Sequence, residues 1–418
     1  MSVRRPNPPH PRHPGPRPLP LHLAVHAWTL LTSQAALPFW KNGLLPWKPS
    51  LAEAAAELGR SLDAAGPDGY ERLGDALLTE ALARHEDFLK GVQAYRRHPY
   101  RRTLPAPPAL WAEGTTRLLD YRQPDRGGGP AVLVVPSLVN RAYVLDLRAG
   151  RSLMRDMAAR GMAPFLVDWD APGDAEKAFT LTDYVARLER AFDAVAAETG
   201  RRPALLGYCM GGMLALALAQ RRAEAVSALV LLATPWDFHA GGRAAQGRLM
   251  GALAGPLGGI VDALGEVPVD VLQTLFAGLD PSLVVRKFSA FGRLPPRSAR
   301  ARDFVALEEW ANDGVPLAGP VARECLLGWY GGNDPAQGRW RIAGRPVRPG
   351  EVASPALVVA PARDRIVPPQ SVKPLAMEIP GARPMATAGG HVGMLLGQRA
   401  KTEVYEKIAK WLVLSAVQ

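Results

Sequence analysis

Cysteine is nearly absent from this chain. Only Cys209 and Cys325 occur among its 418 residues. Two are too few for a disulfide framework, and a reducing, cytoplasmic setting is the simplest reading, one that keeps a thiol usable. No group of cysteines and histidines has metal-site spacing, and no glycine-rich loop has dinucleotide or phosphate spacing. No metal or organic cofactor is therefore expected. A long apolar run is missing too. The nearest approach, Leu21 to Trp40, contains no Asp, Glu, Lys or Arg, but His22, His26, Thr29, Thr32, Ser33 and Gln34 interrupt it. It makes a poor spanning helix. Behind a basic, proline-rich lead it also makes a poor secretory signal, so an amphipathic or docking helix is expected. The net charge is +11, yet no nucleic-acid-binding module accompanies it, and no nucleic-acid partner is expected. A solvated arginine-rich surface accounts for the charge; an anionic substrate would suit it equally.

What is present is ordinary globular material, 48% hydrophobic and 21% charged. Three regions follow from composition and period. Residues 1–20 are rich in proline and arginine and read as a disordered tail. Residues 21–104 read as a helical region: SLAEAAAELGRSLDAA and YERLGDALLTEALARHEDFLKGVQAYRR carry helical apolar spacing. After the linker RRTLPAPPAL, residues 105–418 change to strand and helix in alternation. AVLVVPS, APFLVDW, PALLGYC and VSALVLLAT are short buried strands. LDLRAGRSLMRDMAARG, LTDYVARLERAFDAVAAETG and GGMLALALAQRRA are the helices between them. Such alternation predicts an α/β fold, a mostly parallel sheet with helices on both faces. From about 238 to 350 the rhythm breaks, ending in a hairpin at RWRIAGRPV; this reads as a cap insertion. The parallel pattern then resumes at PALVVAPARDRIVP and ARPMATA.

The junction Gly207-Tyr208-Cys209-Met210-Gly211-Gly212 lies between a buried strand and a helix. Glycines two residues before and two after Cys209 let strand and helix approach closely, the frame of a nucleophile elbow. A thiol there meets the positive end of a helix, which favours the thiolate. In this arrangement the acid and then the histidine follow the nucleophile in the chain. Asp364, just after one strand, and His391, in a glycine-flanked loop after the next, are the candidates for acid and base. Asp237, after LVLLATPW, is a second candidate acid. His239 opens the cap without a strand-end position and reads as a lid contact. An oxyanion hole would use the backbone N–H groups of Met210 and of Leu138, in the loop PSLVNR. Cys325, in a helix-like apolar stretch, reads as a core cysteine.

These segments together resemble the polyhydroxyalkanoate synthases, members of the α/β-hydrolase superfamily. GYCMGG matches their Gly-x-Cys-x-Gly-Gly. VPSLVNRAYVLDL, LLATPWDF, GRWRIAGRPV, ARDRIVP and GGHVGM are similar to further family blocks, scattered from Leu118 to Leu412. The stretch Trp310 to Pro316 echoes the family's Trp-Asn-x-Asp-x-Thr-Asn only in part, and the helical leader matches no synthase leader. The resemblance implies an α/β-hydrolase fold and an acyltransferase with a Cys209, Asp364, His391 triad. It implies a 3-hydroxyacyl-CoA substrate, with the growing polyester held on Cys209 as a thioester. It further implies a homodimer and a polymer-granule surface as partner. The chain's ending is most similar to the shorter synthases, which work with a second subunit. Hydrolysis, as a thioesterase or depolymerase, and a non-catalytic granule-associated role are the rival readings. Cysteine suits acyl transfer because thioester-to-thioester exchange keeps the acyl group activated for attack by a hydroxyl, provided water is excluded.

Overall fold

The computed structural model describes residues 13–415, apart from 67, 124, 126, 127 and 279. The tail expected over 1–20 lies outside the described residues as far as residue 12. From His13 onward the chain is packed: His13 is buried and its Nε2 bonds the His98 carbonyl at 2.8 Å. Among the described residues, no helix is long and apolar enough to cross a membrane.

Two compact units emerge, Met1–Arg101 with Gln273–Asn312, and Arg102–Leu272 with Asp313–Gln418. The smaller is helical. Helices Leu19–Ala35, Pro49–Ala64 and Gly69–Arg97 are joined by Leu283–Gly292 and Ala299–Asn312. Its core is aromatic: Phe88, Tyr95 and Phe288 are fully buried, and Phe291 stacks on Phe304 at 4.3 Å. Two helices meet here at glycine. A Cβ on Gly91 would lie 2.0 Å from the Phe288 carbonyl oxygen, so only glycine permits this approach.

The larger unit is built on eight strands: β1 (Ala109–Glu113), β2 (Thr116–Asp120), β3 (Ala131–Val135), β4 (Ala163–Asp168), β5 (Ala204–Tyr208), β6 (Leu229–Leu232), β7 (Ala356–Pro361) and β8 (Arg383–Thr387). Their spatial order is β1-β2-β4-β3-β5-β6-β7-β8. The six strands from β4 to β8 in that order run parallel, and β1 and β2 add an antiparallel edge. Strands β3, β5 and β6 are buried at every position, as a sheet covered on both faces requires. This is the α/β-hydrolase arrangement, and it carries the ends of β5, β7 and β8 to one edge.

Two local readings differ from the sequence expectation. The β1–β2 hairpin escaped it because its residues alternate in exposure and lack the continuous apolar run of the central strands. The helix expected over LDLRAGRSLMRDMAARG shrinks to Leu153–Ala159, capped by Ser152, whose oxygen accepts from the Arg155 N–H. The residues before it instead form a short ribbon that turns at Gly150, φ +76°. Asp146 explains the change. It is fully buried and bonded by Arg102, Arg155 and Tyr121, and a buried carboxylate dictates the local path through its partners. The stretch expected as a cap is helical through most of its length, including Ala244–Ala252 and Ala254–Leu264. It runs through Gly319–Arg323 into a π-helix, Glu324–Gly331. The hairpin at RWRIAGRPV is present, with Arg341 opposite Pro346.

Candidate active site

Strand β5 ends at Tyr208 and helix Met210–Arg221 begins one residue later. Cys209 makes the turn alone, at φ +55° and ψ −127°. A non-glycine residue held there costs about 1–3 kcal/mol and persists only where its surroundings fix it. They do so here: its N–H donates to the Leu232 carbonyl at 2.9 Å, and its carbonyl accepts from Gly212 N–H at 2.9 Å. The flanking glycines are sterically required. A Cβ on Gly207 would sit 2.4 Å from the Gly212 Cα, and one on Gly211 would sit 2.2 Å from the Val135 oxygen.

The acid loop follows β7. One Asp364 oxygen, Oδ1, accepts from the N–H groups of Ile366 at 2.8 Å and Val367 at 2.9 Å. The other, Oδ2, lies 2.7 Å from His391 Nδ1. The Asp364 side chain is fully buried. His391 follows β8 across Ala388, Gly389 and Gly390, and it is coupled electrostatically to Cys209. Burial alone would pull His391 down. The Cys209 charge, the hydrogen bond to Asp364 and the Asp364 charge together outweigh it and raise His391 to about 10. His391 is thus bonded to Asp364 and electrostatically coupled to Cys209.

The second candidate acid is engaged elsewhere. Asp237 Oδ1 accepts from the His239 N–H at 2.9 Å and from Asn333 Nδ2 at 2.8 Å. His239 Nε2 bonds the Tyr330 carbonyl at 2.8 Å, which ties it to the cap. Met210 is the first residue of the elbow helix, where an N–H has no intrahelical partner. Leu138 is buried in the loop after β3; that loop approaches the elbow, since Pro136 and Val135 oxygens crowd Gly211. Cys325 is buried, and burial followed by the Glu324 charge pushes its thiol well up, unsuited to act as a nucleophile.

Two tyrosines that the sequence did not single out stand close by. The Tyr208 hydroxyl donates to the His391 carbonyl at 3.3 Å, and the two rings lie 5.2 Å apart. Tyr330 comes from the π-helix. Burial, then the charges of Cys209 and Cys325, push its phenol up. The only sequence signal for Tyr330 was an aromatic pair, Trp329-Tyr330, before two glycines in the cap.

Comparison with known proteins adds family to geometry. An alpha/beta hydrolase fold model matches residues 130–255. The poly(3-hydroxyalkanoate) polymerase subunit PhaC of Allochromatium vinosum is 29% identical over 314 residues, 73% of this chain and 87% of that protein. The PhaC subunit of Thiocystis violacea is 30% identical, over 67% of this chain and 80% of its own. That of Synechocystis is also 30% identical, over 67% and 77%. With its cysteine elbow and these relatives, the chain belongs to the poly(3-hydroxyalkanoate) polymerase PhaC family.

Proposed function

We propose that the chain is an acyltransferase that moves a 3-hydroxyacyl group from CoA onto Cys209 and then to a hydroxyl, extending a polyester. The observation that carries this reading is His391, bonded to Asp364 and coupled electrostatically to the elbow thiol Cys209, in a member of the PhaC family. Asp364 fixes the imidazole by its bond to Nδ1, and its buried charge favours the proton on His391. The Cys209 sulfur attacks the thioester carbonyl. A carbon–sulfur bond forms and an electron pair moves onto the carbonyl oxygen, which the N–H groups of Met210 and Leu138 receive. Collapse of this intermediate expels CoA, whose sulfur takes the proton from His391. In the second half, a hydroxyl gives its proton to His391 as its oxygen attacks the Cys209 thioester. The cysteine sulfur leaves and the ester is made. No metal or organic cofactor enters these steps; CoA is the leaving group.

The same reading carries a homodimer, a second synthase subunit and a polyester-granule surface as proposed partners, in the cytoplasm. Its test is product analysis. Purified protein is incubated with 3-hydroxybutyryl-CoA, free CoA is followed, and the acyl product is identified, with Cys209→Ala alongside. CoA release with oligomer or polymer, lost in Cys209→Ala while the fold is kept, is expected. Release yielding only free 3-hydroxybutyrate would make the site a hydrolase and overturn the polymerising role.

A further inference from the structure

The loop that follows β3, residues 136–141, is fastened at both ends. At its inner end it touches the elbow: the Val135 and Pro136 carbonyl oxygens leave no room for a Cβ on Gly211, two residues past Cys209. The Trp169 indole N–H, just past the end of β4, donates to the Pro136 carbonyl at 3.2 Å. At its outer end Asn140 forms an isolated antiparallel bridge with Gly314, and Arg141 meets two carboxylates. Its Nη1 donates to Asp170 Oδ1, and its Nε lies 3.5 Å from Asp313 Oδ1. Both carboxylates are fixed in turn. Asp170 Oδ1 also accepts from the Ala171 N–H at 2.7 Å, and Asp313 Oδ2 accepts from the Tyr143 hydroxyl at 3.1 Å. Asp170 holds φ +57°, a left-handed backbone uncommon outside glycine. Between the two fastenings lies Leu138. It is buried, and its N–H donates to no described residue, although a buried N–H is nearly always paired.

The Arg141 and Asp170 side chains are 29% and 39% exposed, and ion pairs so open to water add little stability. What they fix is position. Resting on the acyl-transfer reading, in which the Leu138 N–H receives the thioester oxygen, we infer that Arg141 is a positioning residue: its ion pairs with Asp170 and Asp313 hold the loop so that the Leu138 N–H stays aimed at the carbonyl attacked by Cys209. Arginine suits the task. Its planar guanidinium presents N–H groups along several edges, whereas a lysine ammonium is one point charge on a flexible stem. The effect belongs to the transition state, because negative charge builds on the oxygen only as the sulfur attacks. A loosened loop therefore slows that attack and leaves binding of the CoA thioester unchanged. A donor displaced by about 1 Å costs about 10–100-fold in rate.

The experiment follows two reactions of the same sulfur in the full chain, with Arg141→Gln and Asp170→Asn beside wild type. The first is CoA release from 3-hydroxybutyryl-CoA, resolved into kcat and KM. The second is alkylation of Cys209 by iodoacetamide, followed by peptide mass. There a carbon–sulfur bond forms as iodide leaves, and no oxyanion develops. Asp170→Asn keeps an oxygen for the Ala171 N–H and removes the charge. Both variants are expected to lower kcat about 10–100-fold. KM and the alkylation rate should stay within about twofold of wild type, and the thermal midpoint within about 3 °C. An unchanged kcat in either variant overturns the inference. So does a parallel fall of kcat and alkylation, which would assign Arg141 to holding the elbow rather than the carbonyl. A wild type that is alkylated at Cys209 but releases no CoA would overturn the acyl-transfer reading itself, a result unlike either of these.

Discussion

A thiol at position 209 is useful only if its proton has somewhere to go, and the environment of His391 supplies that place. The residue is raised to about 10 from an ordinary 6.5, against the pull of its own burial. A histidine raised in the folded state stabilises that state fully below its unfolded value, near 6.5, and loses the contribution as pH climbs toward 10. The unfolding free energy of wild type should therefore fall between pH 6.5 and 10 by about 2 kcal/mol more than that of Asp364→Asn, the scale of a hydrogen bond between charged groups. The Asn side chain can still accept from Ile366 and Val367, so the loop is kept while the charge goes. Denaturant titrations of both proteins across that range check it, and parallel pH slopes would refute the charge coupling. The thiol's turnover should follow: Cys209→Ala removes the sulfur proposed to accept the acyl group, and CoA release should drop by at least a thousandfold, as when other covalent nucleophiles are deleted.

Glycine sets the geometry of whole elements in two places. At the elbow, Gly207 and Gly211 let β5, β3 and the helix after Cys209 converge. These were legible in the sequence, because the spacing Gly-x-Cys-x-Gly repeats a known steric requirement within six residues. Gly91 was not legible, since its reason lies nearly two hundred residues away at Phe288. Helical periodicity tells which face of Gly69–Arg97 is apolar, but not which helix will cover it. Gly91→Ala would drive a methyl to 2.0 Å from a backbone oxygen, and a backbone atom in a packed helix has little room to yield. The substitution should cost about 2–3 kcal/mol, read as a lowered denaturant midpoint, whereas a neutral result would mean that the two helices can separate without loss. The same limit applies to Tyr330. That the Cys209 charge reaches its phenol depends on the π-helix and on the path of the cap, neither of which has a periodic sequence signature, whereas Asp364 and His391 each follow a buried strand and could be read directly.

For the molecule as a whole, both units leave large apolar side chains exposed. The sheet unit, which holds Cys209, His391 and Asp364, exposes Leu249, Met377 and Leu414 among others. The helical unit leaves large ones bare: Trp28 is 70% exposed, Leu31 67% and Phe39 57%. All three lie in the uncharged stretch that the sequence marked as a docking helix, within Leu19–Ala35 and Leu37–Lys41. Exposed single apolar residues are common, but several on adjoining helices without an intervening charge form a surface that water disfavours. A protein that makes an insoluble polyester meets such a surface in its own product, and covering an exposed Trp or Leu side chain is worth about 1–2 kcal/mol. Replacing Trp28, Leu31 and Phe39 together by serine should therefore weaken co-sedimentation with amorphous poly(3-hydroxybutyrate) particles by at least tenfold. Turnover of soluble 3-hydroxybutyryl-CoA should change little, because none of the three belongs to the unit that holds Cys209. Equal sedimentation of variant and wild type would move the polymer contact off these helices. A matching loss of soluble turnover would tie them to catalysis, and the separation of docking from chemistry would fall.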